Sequence, residues 1–248
     1  MKKKETGDSI FPDQFIDEID EQLKHLYADG TTENYFTPVL EEAINCIDQP
    51  KVVVDVGCGN GAFSAIMKYL CDCELIGIDG NMHALSKARV VGFDRVLHIQ
   101  DFSKDSLPLD SEKIDFVICK DVLEHLFLPR HLLQELNRIL IPGGYCMLHV
   151  PNHFPIIGRL RFLFSNNIDT FDYFPNAENW DFPHIRFFNK TGLVSLSNLC
   201  GFEVLKDLSW HFVRPAILKG LLRIKGRSIV SRFSDALCEG TTLLLRKK

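Results

Sequence analysis

Residues 51–70 read KVVVDVGCGNGAFSAIMKYL. The density of β-branched residues in VVVDV predicts a strand that is buried on both faces. Three of the next five residues are glycines, which predicts a turn, because glycine adopts positive φ and lets a ligand approach the backbone. Apolar residues from Ala62 to Leu70 then recur at helical spacing. The segment therefore predicts a strand, a glycine turn and a helix that begins with free N–H groups.

Two classes of ligand fit this turn. Gly57, Gly59 and Ala62 satisfy the dinucleotide fingerprint G-x-G-x-x-G/A, which favours a nicotinamide-dependent oxidoreductase. Asp55, just before the glycines, instead favours a cationic ligand over a pyrophosphate. With this acid the segment reads D-x-G-x-G-x-G, which resembles the first motif of the S-adenosylmethionine-dependent methyltransferases with a Rossmann-like fold. A tight turn that binds no ligand is the remaining alternative.

Acids follow the next two predicted strands. Residues 74–79 form the first of these strands, and a carboxylate at its end, Asp79, can accept hydrogen bonds from both hydroxyls of a ribose. Asp101 and Phe102 follow the other strand, residues 96–99. The resemblance implies that this pair holds the adenine, the carboxylate by the exocyclic amine and the ring by packing. A dinucleotide enzyme has no such need, and a simple turn at the strand end is the alternative.

The fourth predicted strand, residues 114–119, runs into D-V-L-E-H-L at residues 121–126. This stretch closely resembles a motif of small-molecule methyltransferases of the ubiquinone-biosynthesis and related branches. A predicted helix that is ended by Pro142-Gly143-Gly144 and followed by a strand also resembles the family at the matching place. The resemblance thus covers residues 50–150.

The resemblance implies an α/β fold with a Rossmann-like, doubly wound sheet of seven mostly parallel strands. The last strand is expected to be antiparallel, and we assign it to residues 241–246. Residues 202–210 are expected to form the strand before it. The methyltransferase domain would then span residues 51–248.

Two additions to this domain are expected. Helices at residues 13–29 and 37–47 are predicted to form an N-terminal lid segment within residues 1–50. A long insertion at about residues 151–189 reads as a substrate cap, because a loop of this length in a compact domain is usually a lid or a binding loop.

The resemblance also implies the residues of the cofactor site. They come from the glycine turn and from the ends of the next three strands. This set consists of Asp55, Gly57, Cys58, Gly59, Asp79, Gly80, Asn81, Met82, Asp101, Phe102, Lys120 and Asp121.

The methyl group of a sulfonium is already activated, so the protein must align the acceptor and exclude water. It can also remove a proton from an acceptor hydroxyl, and a histidine suits this task near neutral pH. His125, His153 and His184 are candidates for this base. The carboxyl end of the fourth strand faces the cleft in a doubly wound sheet, which favours His125. Asp121 and His184 complete the catalytic set.

The substrate side is expected to include Tyr35 from the lid segment. From the cap it would include Asn152, His153, Arg159 and Arg186. Arginine forks suit phosphate or carboxylate groups, so an anionic acceptor is an expectation, and salt bridges within the cap are the alternative. The cap also loosely resembles branches that are associated with sugar and surface-polysaccharide pathways.

A metal site is a further hypothesis. Asp121, Glu124 and His125 stand at i, i+3 and i+4 and would share a face if they were helical. With a later histidine they could hold a divalent ion. Packing and loop hydrogen bonds are the alternative roles for Glu124 and His125.

Composition excludes several other classes. The net charge of −5 gives no general signal for nucleic acid or for an anionic membrane. No apolar run reaches the roughly 18 residues of a membrane span, and the basic N-terminus lacks the apolar stretch of a signal peptide. The eight cysteines show no zinc spacing and read as reduced core thiols. A cytoplasmic location is therefore expected. The basic, apolar residues 214–232 read as an amphipathic surface helix or a contact to an anionic surface.

These expectations combine into one function: a methyltransferase that acts with S-adenosylmethionine on a small molecule, at oxygen. Three alternatives remain open. The first is a methyltransferase of a macromolecule, such as protein or RNA, and the second is a nicotinamide-dependent oxidoreductase. The third is a non-catalytic nucleotide-binding module that keeps the fold as a scaffold.

Overall fold

The computed structural model describes residues 33–164, 184–212 and 233–248. The predicted helix at residues 13–29, about half of the predicted cap (residues 165–183) and all of the basic segment 214–232 lie outside the described residues.

The described residues form one seven-stranded sheet, with the strand order β3-β2-β1-β4-β5-β7-β6. The strands are β1 (Val52–Val56), β2 (Glu74–Asp79), β3 (Arg95–His98), β4 (Ile114–Lys120), β5 (Leu140–Pro151), β6 (Phe202–Asp207) and β7 (Gly240–Lys247). β7 pairs antiparallel with both β5 and β6, whereas the β1–β2, β2–β3 and β4–β5 pairs are parallel. The predicted sheet with its antiparallel last strand is confirmed.

The chain divides into two compact units, and unit 1 is Met1–Gln100. It contains β1 to β3 and the helices α1 (Glu33–Ile44), α2 (Met67–Leu70) and α3 (Met82–Val90). β1 and β2 are buried on both faces, which follows from their content of valine, leucine and isoleucine. α1 begins four residues before the predicted helix, so Tyr35 lies in its first turn; the side chain of Tyr35 lies outside the described part.

The sequence predicts a helix from Ala62 onward, after the glycine turn, and this predicted start is wrong. Residues 61–66 form a run of turns, and the regular helix α2 begins only at Met67. The buried carboxylate of Asp55 provides a physical reason. It accepts a hydrogen bond from the Ser64 hydroxyl and so holds this segment against β1. The backbone there mixes a four-residue step, Ala65 N to Gly61 O, with a three-residue step, Met67 N to Ser64 O.

Unit 2 is Asp101–Lys248. Its described residues contain β4 to β7 and four helices, which are α4 (Pro129–Ile139), α5 (Ile156–Phe164), α6 (Lys190–Leu199) and α7 (Ser234–Leu237). Short 3-10 turns cover Leu123–His125 and Ser209–Phe212. α4 ends at Ile139, and β5 begins at Leu140. The prediction that Pro142-Gly143-Gly144 ends the helix is therefore wrong, because these residues lie inside β5.

The cysteines behave as the composition predicts. All eight are free thiols, seven of them buried, and Cys46 is half-buried. Burial raises the pKa of the Cys146 and Cys238 thiols, that of Cys238 to about 12. These two thiols therefore remain neutral near pH 7.

Two glycines of unit 1 allow a matched stability test. Gly61 and Gly92 both have positive φ, but a Cβ at Gly61 would lie 2.6 Å from Phe93 Cε2, whereas a Cβ at Gly92 would have nothing within 4 Å among the described atoms. Gly92→Ala should cost about 1–2 kcal/mol of unfolding free energy through backbone strain alone. Gly61→Ala should cost roughly 1–3 kcal/mol more through overpacking. Urea unfolding measures both, and equal costs would contradict the packing of Gly61.

Candidate active site

The glycine turn of unit 1 is held by the end of β2. Gly57 and Cys58 both donate backbone hydrogen bonds to the carbonyl oxygen of Ile78, at 2.8 and 3.2 Å. Gly57, Gly59 and Gly61 have φ values of 77°, 55° and 84°. These are left-handed conformations that glycine adopts without steric cost. The turn after β1 is therefore a fixed structure rather than a loose connection.

Gly59 is the glycine of this turn that leaves open space. A Cβ built on Gly59 would have no atom within 4 Å among the described residues, whereas one on Gly61 would strike Phe93 and Val91. The Gly59 N–H donates a hydrogen bond of 2.8 Å to Asp79 Oδ2. Gly61 thus serves packing, and Gly59 provides a backbone surface that a ligand can approach closely.

The Asp79 carboxylate joins two loops of unit 1. Its Oδ2 accepts from Gly59 N, and its Oδ1 accepts from Asn81 N at 2.8 Å. Asn81 in turn caps α3, because its side-chain oxygen accepts from the N–H groups of His83 and Ala84. A carboxylate offers about four acceptor sites, so Asp79 retains acceptor capacity for the hydroxyls of a ligand. Gly80 and Met82 beside it are exposed, Met82 to 64%.

Asp55 and Cys58 lie deeper than the other predicted cofactor residues. Asp55 is buried and bonded to Ser64, so its carboxylate supports the turn from the interior. Burial, together with the charges of Asp55 and Asp79, raises the pKa of the Cys58 thiol. Gly57 and Cys58 contribute backbone N–H groups that β2 already uses.

Asp101 and Phe102 open unit 2 and are half-exposed. Asp101 Oδ1 accepts a hydrogen bond of 2.8 Å from Ser103 N, and Lys104 Nζ lies 3.4 Å from Oδ2. The hydrogen bond from Ser103 is the main reason that the pKa of Asp101 is lowered. This acid is therefore ionised near neutral pH and can accept a hydrogen bond from an amine.

The end of β4 carries an unusual backbone conformation at Asp121, whose φ is 53°. Lys120 Nζ donates a hydrogen bond to Asp121 Oδ2, and His149 Nε2 lies 3.4 Å from Oδ1. Burial alone would raise the pKa of Asp121, but the neighbouring His149 and Lys120 outweigh it, so the pKa is lowered. Burial lowers the pKa of His149 to about 4, against the pull of Asp121. Near pH 7 the carboxylate is ionised and the imidazole is neutral.

Glu124 is the most unusual side chain of unit 2. It is 0% exposed, and neither carboxyl oxygen has a hydrogen-bond partner among the described residues. Burial, with a smaller contribution from Asp121, raises the pKa of Glu124 to about 8. A buried acid without hydrogen bonds is costly, and such groups concentrate at functional sites.

Histidines surround this acid. His125 Nε2 lies 3.8 Å from Glu124 Oε1, and the rings of His125 and His184 are 4.7 Å apart. His184 Nδ1 makes a hydrogen bond of 3.0 Å with His153 Nε2. The segment that carries His184 is fixed to the Leu123–His125 turn, because the Glu124 carbonyl oxygen accepts from the N–H groups of both Ile185 and Arg186. We call Glu124, His125, His153 and His184 the histidine cluster.

The candidate metal ligands in the structure differ from the set that the sequence suggested. Asp121 has positive φ, and Leu123–His125 form a 3-10 turn, so the predicted helical face with Asp121, Glu124 and His125 does not exist. The structure instead groups Glu124, His125 and His184, each with one possible ligand atom within 4.8 Å of the others. These are the residues in the described part that could hold a metal ion together.

The predicted substrate residues of the cap are engaged within the protein. The Asn152 amide donates to the carbonyl oxygens of Asp235 and Cys238 and accepts from Phe154 N. Arg159 donates to the carbonyl of Phe154, and Arg186 donates to the carbonyl of Phe127, both at 2.7 Å. The described residues thus give both arginines backbone partners rather than the salt bridges of the alternative.

Sequence reasoning missed His149. It lies inside β5 in an apolar run, where a lone histidine gives no motif. The feature that singles it out is its pairing with Lys120 of β4, and this pairing is known only from the strand register.

Comparisons with known proteins identify the family and the fold. The family profile described as "Methyltransferase domain" matches residues 19–207. Among curated relatives, the ubiquinone biosynthesis O-methyltransferase of Glaesserella parasuis is 33% identical over 109 residues, which is 41% of this chain and 46% of that protein. The enzyme of the same name from Stutzerimonas stutzeri is 29% identical over 54% of this chain and 62% of its own length. The chain thus spans roughly half the length of the curated relatives it matches.

Solved structures share the fold. A S-adenosylmethionine-dependent methyltransferase from Mesorhizobium loti aligns with a TM-score of 0.60 at 19% identity, over 88% of this chain and 99% of that chain. One from Archaeoglobus fulgidus also gives 0.60, at 17% identity, over 90% and 99%. The chain belongs to the methyltransferase domain family and has the fold of the class I S-adenosylmethionine-dependent methyltransferases.

Among the described residues, no helix combines the length and the apolar character that crossing a bilayer requires.

The raised pKa of Glu124 predicts a pH-dependent stability. Its unfolded pKa is about 4.3, whereas in the fold it is about 8. Between these values the unfolded chain has released the proton and the folded chain keeps it. The free energy of unfolding should therefore fall as pH rises, by at most about 1.4 kcal/mol per pH unit.

Urea unfolding with a chelator at pH 5 and pH 8 measures this effect against Glu124→Gln, which keeps the volume but has no proton to lose. The wild type should lose stability relative to the variant between the two pH values. If the unfolding free energies of the wild type and of Glu124→Gln changed equally with pH, Glu124 would ionise like an exposed acid.

Proposed function

We propose that the protein transfers the methyl group of S-adenosylmethionine to an oxygen atom of a small-molecule acceptor. The observation that carries this proposal is the open backbone at Gly59, held by the Asp79 carboxylate. A Cβ would fill that space, so the turn fits a ligand that approaches the backbone closely.

Unit 1 would hold the nucleoside part of the cofactor. The free acceptor sites of Asp79 suit two ribose hydroxyls, and the exposed Met82 offers an apolar surface to an adenine. In unit 2, the ionised Asp101 would accept from the adenine amine, with Phe102 packing on the ring. When bound, the cofactor supplies a methyl group that is already activated for transfer.

Unit 2 would also hold the groups that act on the acceptor. The histidine cluster contains imidazoles that can accept a proton from a hydroxyl near neutral pH. His125 is half-exposed, whereas His153 and His184 are buried. His125 is therefore the proposed base, and His184 orients it through the ring contact of 4.7 Å.

The proposed acceptor is small and reacts at oxygen, which agrees with the names of the curated relatives, ubiquinone biosynthesis O-methyltransferases. An anionic or sugar-like acceptor, as in surface-glycan synthesis, has less support, because Arg159 and Arg186 already bond to backbone carbonyls. A cytoplasmic location is part of this proposal. A macromolecular acceptor and a non-catalytic binding module are outcomes that experiments must separate from it.

Cofactor binding tests the first half of the proposal. S-adenosylhomocysteine should raise the melting temperature of the protein, and NAD should not. Asp79→Asn should weaken the binding of S-adenosylhomocysteine by roughly 1–3 kcal/mol, because ribose hydroxyls and the Gly59 N–H lose a charged acceptor. Glu74→Gln, at the other end of the same strand, is the matched control and should bind normally. Unchanged affinity in Asp79→Asn would contradict the assigned site.

The acceptor class is tested by transfer of label from S-adenosylmethionine in an extract of the source cells, with and without the purified protein. New label that passes a small-pore filter is the expected result. Label retained with protein, nucleic acid or polymer would overturn the small-molecule acceptor and leave the cofactor proposal intact. Tight cofactor binding without any transfer would favour the non-catalytic module.

As an alternative use of the histidine cluster, we propose that it binds a divalent cation through Glu124, His125 and His184, in which case His125 is a ligand rather than the base. Two imidazoles and a carboxylate suit zinc or manganese. Both oxygens of Glu124 have no hydrogen-bond partner among the described residues, which is the state expected of a ligand before it meets its ion. His153 would fix the ring of His184 through Nδ1 and leave Nε2 as the ligand atom.

Urea unfolding of the wild type and Glu124→Gln at pH 5 and pH 8 also tests the binding of a cation. Zinc or manganese should ionise Glu124 and remove the fall in wild-type stability between pH 5 and pH 8. The same ions should leave Glu124→Gln unchanged, and His131→Asn, outside the cluster, should respond like the wild type. No change in wild-type stability with either ion would contradict the site.

A further inference from the structure

Three neighbouring strands of unit 2 place a polar row across the sheet. Lys120 of β4 is paired with His149 of β5, and His149 is paired with Thr242 of β7. Residues that pair directly across strands project to the same face. The row is buried at His149 and Thr242, where apolar side chains would be ordinary.

The Asp121 carboxylate lies beside Lys120 and His149 of this row. An extended residue after Lys120 would project to the opposite face of the sheet. Asp121 instead adopts a φ of 53°, and its N–H donates to the His149 carbonyl oxygen at 3.1 Å. This conformation brings the carboxylate back beside Lys120 and His149. Asp121 is half-buried, and positive φ at a non-glycine residue is the kind of strain that functional positions retain.

The imidazole of His149 is held from three sides. Nδ1 lies 2.7 Å from the Thr242 hydroxyl oxygen, and the ring packs on Phe212 with centroids 4.4 Å apart. A Cβ at Gly240 would lie 2.2 Å from His149 Cε1, so the glycine leaves the space that the ring occupies. Nε2 faces Asp121 Oδ1 at 3.4 Å.

The partners decide which ring nitrogen carries the proton. An ionised carboxylate can only accept a hydrogen bond, so the nitrogen that faces Asp121 should be the one with the N–H. Nδ1 is then an acceptor, and the Thr242 hydroxyl must donate to it. Thr242 thereby selects the tautomer that presents an N–H to Asp121.

We propose that Thr242 and His149 form a positioning chain that holds the Asp121 carboxylate at the carboxyl end of β4 for its role in the cofactor site. This inference rests on the proposed function and on the expectation from the sequence that Asp121 is one of the cofactor-binding residues. Thr242 and His149 are positioning residues: they act through Asp121.

The tautomer is tested directly by the ring-nitrogen spectrum of protein with ¹⁵N-labelled histidine. The chain contains nine histidines, and the signals of His149 are those lost in His149→Gln. The expected spectrum shows a neutral ring with its proton on Nε2. Thr242→Val should shift the Nδ1 signal, and Thr242→Ser should restore it. A proton on Nδ1 in the wild type would overturn the proposal, whether or not the protein binds a cofactor.

A double-mutant cycle tests the action through Asp121. Thr242→Val, nearly isosteric and suited to a strand, should weaken the binding of S-adenosylhomocysteine about fivefold, the equivalent of one hydrogen bond. It should cause no further loss in the Asp121→Asn background, because the chain then has no carboxylate to hold. Thr241→Val, on the other face of β7, is the matched control and should bind like the wild type.

The outcomes separate the two proposals. Additive losses in the double variant, or a loss with Asp121→Asn but none with Thr242→Val, would overturn the positioning chain and leave the cofactor site intact. A wild type that does not bind S-adenosylhomocysteine would overturn the proposed function. The ring-nitrogen spectrum of His149 would then be the test of the positioning chain.

Discussion

The Asp79 carboxylate is the contact on which the glycine turn of unit 1 depends. It accepts the N–H of Gly59 with one oxygen and the N–H of Asn81 with the other. One side chain at the end of β2 thereby fixes the turn after β1 and the start of α3. The left-handed glycines allow the turn, but the carboxylate gives it one conformation. A ligand that needs the backbone of Gly59 therefore meets a preorganised surface.

Unit 2 is subject to a different constraint, because it buries polar groups next to apolar strands. Glu124 and His149 are both held in the neutral form by burial near pH 7. Asp121 stays ionised between them because Lys120 and His149 favour the charge more than burial opposes it. Such an arrangement contributes little to stability compared with apolar packing, which is why it points to chemistry.

Much of the fold was predictable because strand and helix periods leave a direct record in the sequence. The strands β1, β2 and β4 and the glycine turn agree with the pattern of apolar residues and glycines, and the antiparallel last strand agrees with what the family resemblance implies. The failures are local and have physical causes. The helix after the turn is shortened by the Asp55–Ser64 hydrogen bond, and the shared helical face disappears because Asp121 adopts positive φ. Neither a buried side-chain hydrogen bond nor a single backbone dihedral is visible in a periodic pattern.

The sequence by itself determined the residues of the glycine turn through their local spacing. It determined the class of fold and the family through the resemblance of residues 50–150 to a known family. Tertiary structure alone decided which polar groups meet. It brought His184 to Glu124 across sixty residues of chain through two backbone hydrogen bonds to one carbonyl. It also placed His149 between Thr242 and Asp121 through strand register. Contacts of this kind depend on the pairing of distant segments, and a linear pattern carries no record of that pairing.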